Sequence, residues 1–117
     1  MITQIVPPYF LMDLKTVAYR RSLSEYMSSS KPNFFSLEGF VDATVIVEGL
    51  KKTGKELTRE GLIRGIESIH EFDIGLGTEL KLGYSAKDHK GFDHVIPTVI
   101  RGGRAVPFTD WLVARPQ

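Results

Sequence analysis

The chain has 117 residues, with 15 Lys+Arg against 14 Asp+Glu and a formal net charge of +1. That length holds one small domain or a piece of a larger one, and 42% hydrophobic with 25% charged residues matches a folded protein rather than a disordered one. The near-neutral balance gives no electrostatic reason to expect nucleic acid or an anionic membrane, and the absence of cysteine excludes disulfides, thiolate metal sites and cysteine nucleophiles.

The opening residues Met1 to Pro8 carry no Lys or Arg, and Pro7-Pro8 closes their short apolar run. A secretory signal needs a basic start and a longer apolar stretch. No apolar run approaches the roughly 20 residues that cross a bilayer. The sequence therefore reads as soluble and without an export address.

Ile2 to Val6 is β-branched and reads as an extended strand, ended by prolines that cannot donate to a sheet. Asp13 to Met27 reads as a half-exposed helix, capped by the Asp13 carboxylate, with Tyr19, Leu23, Tyr26 and Met27 on one face. Ser28 to Asn33 is a loop. Phe34-Phe35 reads as a brief strand feeding the next element.

Ser36 to Thr53 is the strongest helix. Ser36 is its expected cap, although Gly39 stands where a capping box needs Glu or Gln. Leu37, Phe40, Val41, Ala43, Val45, Ile46, Val47 and Leu50 point nearly all round it, so it wants burial on most sides. Gly54 ends it. Thr58 caps a shorter helix to Ile69, striped by Leu62, Ile63, Ile66 and Ile69. Gly61 and Gly65 weaken this helix by about 1 kcal/mol each relative to alanine, which implies tight packing against a neighbour.

From Phe72 onward the helical period stops. Leu80, Leu82 and Tyr84 alternate as in a strand, and Lys87 to Gly91 is a turn. His94 to Arg101 and Arg104 to Phe108 form a hairpin across Gly102-Gly103, where both loop positions can take positive φ. The last feature is Trp111. The order β-α-β-α-α, then β-rich, points to an α/β sheet with helices packed on it.

Little in this order asks for catalysis. Asp88, His89, Asp93 and His94 are the most ligand-like cluster, but a polar turn with Lys87 and Lys90 around it explains them, and the Cys/His spacing of structural zinc sites is missing. Gly75-Leu76-Gly77 opens like a dinucleotide loop, but the third glycine would fall at Leu80 and sheet-like sequence follows. No Gly-x-Ser-x-Gly elbow accompanies the three histidines. The expectation is therefore no catalytic residue, no metal and no cofactor. Arg101 and Arg104 read as a solvated hairpin tip. Lys51, Lys52 and Lys55 complement the negative pole of the long helix.

Phe34, Phe35 and Phe40 sit at the entrance of that helix. Ligands of open α/β sheets bind beyond the carboxyl ends of strands, often near helix N-termini, and an aromatic there can wall a small-molecule pocket. Phe40 reads as core. Phe35 reads either as core or as such a wall.

Several stretches also appear together in one known order. They are Ile2 to Pro7, Phe35-Ser36-Leu37-Glu38-Gly39-Phe40, Glu48 to Gly54, Leu57 to Ile63, Ser85 to Gly91, and Val99 to Pro107. In this the sequence resembles the C-terminal part of periplasmic solute-binding proteins of the branched-chain amino-acid ABC transporter type. The resemblance implies a partial three-layer α/β lobe of a type I periplasmic binding protein, with a C-terminal β-hairpin, and residues 1–117 as one partial domain of a two-lobed protein. It further implies a periplasmic, non-enzymatic component that binds an amino acid or small carboxylate between lobes and presents it to an ABC permease. By position, the cleft-lining aromatic of some members matches Phe35, with Ser36 beside it.

Such proteins are much longer than this chain, so it is expected to be a fragment, a short gene product or a shortened relative. The long helix should then keep part of its apolar surface exposed, and the isolated chain should form a homo-oligomer, most simply a dimer. The alternative use is a stand-alone α/β interaction module of the same ancestry. A small enzyme is the third reading, with no residue constellation to support it.

Overall fold

A computed structural model describes residues 1–55, 57–77 and 80–108, so Trp111 lies outside the described residues. Eight elements follow in order: β1 (Ile2–Gln4), α1 (Leu14–Tyr26), α2 (Phe34–Thr53), α3 (Arg59–Glu67), β2 (Phe72–Asp73), β3 (Lys81–Leu82), β4 (Ile96–Arg101) and β5 (Arg104–Pro107). Among the described residues the fold is mixed α/β, with three helices and two small antiparallel sheets.

The first sheet has the order β1-β4-β5. Ile2 stands opposite Thr98, and Arg101 opposite Arg104 across the hairpin. Gly102 and Gly103 both take positive φ, at 56° and 74°, as the two-residue loop requires. Thr98 is fully buried and its hydroxyl donates to the Ile2 carbonyl at 2.8 Å, tying the hairpin to the start of the chain. Arg104 does more than sit in solvent: its guanidinium lies 5.8 Å from the centre of the Phe10 ring. The second sheet is the short pair β2-β3, with Phe72 opposite Leu82.

The expected strand at Phe34-Phe35 does not form. Both residues belong to the first turn of α2. Asn33 rather than Ser36 caps that helix, its side-chain oxygen accepting the Ser36 N–H at 3.0 Å. Phe34 is held in the helix by an edge-on contact with Tyr9, 5.4 Å between ring centres.

Helix α1 starts where expected, but the Asp13 carboxylate makes no capping hydrogen bond. The Gly75 carbonyl accepts the Lys15 N–H at 2.8 Å instead, so a distant segment does the work of a local cap. Its expected apolar face is only half used. Tyr19 is buried and Leu23 packs against the core, while Tyr26 and Met27 are exposed. At α3 the local reading holds, with Thr58 Oγ1 accepting the Gly61 N–H at 3.0 Å.

The core collects Val6, Tyr19, Leu37, Val41, Val45, Ile69, Ile74, Leu76 and Leu82. Helix α2 gives one stripe to it: Leu37, Val41, Val45 and Gly49 are buried. Phe34 and Phe40 pack against the edge of that core, while Phe35 86%, Ile46 49%, Val47 50% and Leu50 41% are exposed. The molecule measures 58 × 37 × 20 Å, with a radius of gyration of 16.5 Å. A compact chain of this length would have a radius of about 13 Å, so the fold is drawn out rather than closed around its longest helix.

Candidate functional site

Two neighbouring features can meet a ligand, and α2 builds both. The first is the entrance of α2. Tyr19 reaches it from α1 and is 2% exposed. Its hydroxyl accepts the Asn33 N–H at 3.0 Å and lies 2.5 Å from Ser36 Oγ. The Ser36 hydroxyl is therefore engaged in fixing the loop-to-helix junction. Phe35, its neighbour in sequence, turns the other way and stands in solvent. The two residues expected at the ligand are thus adjacent but unlike: Ser36 is held from below, and Phe35 is a free aromatic surface.

The second feature is a groove of about 370 Å³ between the first half of α2 and the segment that follows β3. Glu38, Val41, Asp42 and Val45 form the α2 wall. Ile5 and Val6 close one end, and Tyr84, Gly91, Phe92, His94 and Val95 form the opposite side. The 83–91 segment is folded on itself: the Gly83 N–H donates to the Gly91 carbonyl, the Tyr84 N–H to Ile69 and the Ser85 N–H to Asp88. Gly91 has a steric reason, since a Cβ there would run into the Tyr84 hydroxyl and ring.

The charges in the groove wall are uneven. Lys90 is bound to Asp93 at 3.0 Å, and that hydrogen bond is the largest cause holding its ammonium above the usual lysine range. Burial, and then the nearby Asp42 carboxylate, push the Tyr84 hydroxyl above the usual tyrosine value. Glu38 and Asp42 were not singled out in the sequence as site residues. Their spacing of four on a helix was the available signal, because such residues share a face.

A smaller polar cleft of about 290 Å³ lies on the other side of Tyr84 and includes His70, Glu71, Lys81 and Asp88. Its charges are largely spoken for, since Glu71 pairs with Lys81 at 3.0 Å and Asp88 accepts the Lys90 N–H at 2.9 Å. The cluster Asp88, His89, Asp93 and His94 does not converge. His89 turns to Glu67 at 2.9 Å and Asp93 to Lys90. Among the described residues, no group of three or more His, Asp or Glu side chains is placed to hold a metal ion. No helix among them is long and apolar enough to cross a membrane.

Helices on small antiparallel sheets, with a hairpin tied back to the first strand, define a partial lobe of the type I periplasmic binding protein fold. Among solved structures, the chain is similar to the crystal structure of a possible leucine/isoleucine/valine-binding protein from Rhodopirellula baltica SH 1, with a TM-score of 0.84 and 26% sequence identity. The match covers 92% of this chain and 28% of that one, so the chain spans little more than a quarter of the length of the solved protein it resembles. No protein-family model matches the sequence, and no curated protein is significantly similar to it. The resemblance read from the sequence and the fold class expected from it agree with this structure.

Proposed function

We propose that residues 1–117 form one partial domain of a solute-binding protein that serves an ABC uptake system in the periplasm. The observation that carries this reading is the similarity over 92% of the chain to a possible leucine/isoleucine/valine-binding protein. The solute is an amino acid or a related small carboxylate, taken up without chemical change and handed to a permease. Phe35 supplies an aromatic surface to the cleft. The Ser36 backbone and hydroxyl, fixed by Tyr19, set where that surface stands. Most of the solute's contacts come from segments that complete the cleft, so this chain alone binds solute weakly.

A thermal-shift screen tests the reading. Amino acids and small carboxylates are offered at millimolar concentration to this chain and to a full-length relative. A bound ligand stabilises by RT ln(1 + [L]/Kd), so a sub-millimolar solute registers clearly. The reading expects a solute that shifts the relative strongly and this chain far less. No shift of the relative by any member of either class contradicts it.

The outward side of α2 favours a second reading. Phe35, Ile46, Val47 and Leu50 expose apolar surface on one helix, and covering it is worth about 25 cal/mol per Å². In that reading the chain is a stand-alone interaction module and pairs with a second copy of itself through α2. Its test is the state of association in solution.

A further inference from the structure

We infer that Met12 is a reversible oxidation site whose sulfoxide oxygen is received by Arg20. A hydroperoxide transfers one oxygen atom to the thioether: the sulfur is oxidised to S=O, and the peroxide is reduced to the corresponding alcohol, or to water where it is hydrogen peroxide. This goes beyond the solute reading, because it concerns the segment ahead of α1 and involves neither Phe35 nor Ser36.

The sulfur is open to such a reagent, since Met12 is 80% exposed. Exposure alone does not set it apart, because Met1 and Met27 are exposed as well. What distinguishes Met12 is its partner: Arg20 Nη2 donates to its Sδ at 3.6 Å. Arg20 is half-buried on α1. Its Nη1 donates to the carbonyls of Tyr9 and Leu11, the latter at 2.8 Å. Among the described residues the guanidinium pairs with no carboxylate. The cation is therefore held by two carbonyls and a thioether, and the thioether is the weakest acceptor of the three.

Oxidation upgrades that one partner. A sulfoxide oxygen is a polar acceptor where the thioether offers only a weak one. Three rotatable side-chain bonds let the oxygen turn to Nη2, and the charge on the guanidinium strengthens the bond it then makes. The gain reaches past Met12, because Arg20 clamps the whole segment from Tyr9 to Met12 onto α1. Tyr9 in turn meets Phe34 at the entrance of α2, and Phe10 meets Arg104 of the hairpin. A sulfoxide at Met12 thus tightens the bridge between α1, α2 and β5. Methionine oxidation ordinarily harms a protein by making an apolar packing residue polar. Met12 has little packing to lose, so here the sign reverses.

The test treats the intact chain and Met12→Leu with hydrogen peroxide, measures each sulfoxide by peptide mass mapping, and reads Tm. The expected result is full conversion of Met12 with Tm raised by about 2–4 °C, and no rise in Met12→Leu. Methionine sulfoxide reductases for both epimers should return the oxidised chain to its starting Tm. Arg20→Lys keeps the charge but loses the planar fork, so oxidation of that variant should not raise Tm. Met12→Leu changes an exposed side chain, so it keeps the fold and remains decisive if Arg20→Lys does not fold. A Tm that holds or falls on full oxidation of Met12, the same rise in Met12→Leu, or a Met12 that stays reduced while Met27 is converted overturns the proposal.

Discussion

Gly65 of α3 lies directly against the Gly49 carbonyl of α2. A methyl group on Gly65 would stand 2.5 Å from that oxygen and 2.7 Å from Thr53 Oγ1. The reverse contact differs, since a methyl on Gly49 would meet the Ile66 side chain at 2.5 Å. The two helices thus touch backbone to backbone, and Thr53 of α2 bridges them by donating to the Gly61 carbonyl of α3 at 3.3 Å.

Gly65→Ala should therefore destabilise the chain, although alanine is the better helix former by about 1 kcal/mol. Overpacking against backbone costs about 1–3 kcal/mol. Gly49→Ala should cost less, because a side chain can move where a carbonyl cannot. Urea unfolding of both variants checks the order, and equal midpoints for Gly65→Ala and the parent chain would show that the helices have room to part.

Tyr19→Phe should cost about 1–3 kcal/mol, the usual penalty when buried partners lose their hydrogen bond. The Asn33 N–H and the Ser36 hydroxyl both lose Tyr19 Oη. The loss should appear in the denaturation midpoint without any solute present.

Phe35→Ala should do the opposite. The ring is 86% exposed, and such surface changes usually stay within about 0.5 kcal/mol. Stability should hold, while the same change at the matching position of a full-length relative should weaken solute binding. A large loss of stability in this chain would make Phe35 a packing residue.

Tyr84 should ionise above the usual tyrosine value in an ultraviolet titration of the folded chain. Burial is the larger cause and Asp42 the second. Asp42→Asn should therefore lower the Tyr84 value only part of the way. The linkage has a definite sign: a group with a raised folded pKa contributes stability that is fully present below its unfolded value and lost as the pH rises through the folded one. The Tyr84 contribution is thus intact at neutral pH and disappears only in strong alkali.

Much of this was legible in the sequence because the signals were local. Thr58 has its partner three residues on, Gly102-Gly103 needs positive φ, and Gly61 and Gly65 leave α3 too weak to stand without a close neighbour. The failures came from distant partners. Asp13 does not cap α1 because the Gly75 carbonyl reaches it from far along the chain. Phe34-Phe35 looked like a strand because two aromatics after a proline loop favour extension, but the Asn33 cap and the Tyr9 contact draw both into α2. The expected second strand of an alternating sheet vanished with them, and β1 pairs antiparallel with β4 instead. Glu38 and Asp42 escaped notice because the groove's opposite wall lies about fifty residues downstream, and only the fold brings it to α2.

Helix α2 was expected to want cover on most sides, and the described residues leave one of its faces bare. Ile46, Val47 and Leu50 remain outside on the face away from Leu37, Val41 and Val45. Light scattering of the purified chain at tens of micromolar tests this most directly. The account predicts a mass above the 13.1 kDa of a single copy, falling toward it when Ile46 and Leu50 are both replaced by lysine. A clean monomer over the whole concentration range, unchanged by those replacements, would contradict it.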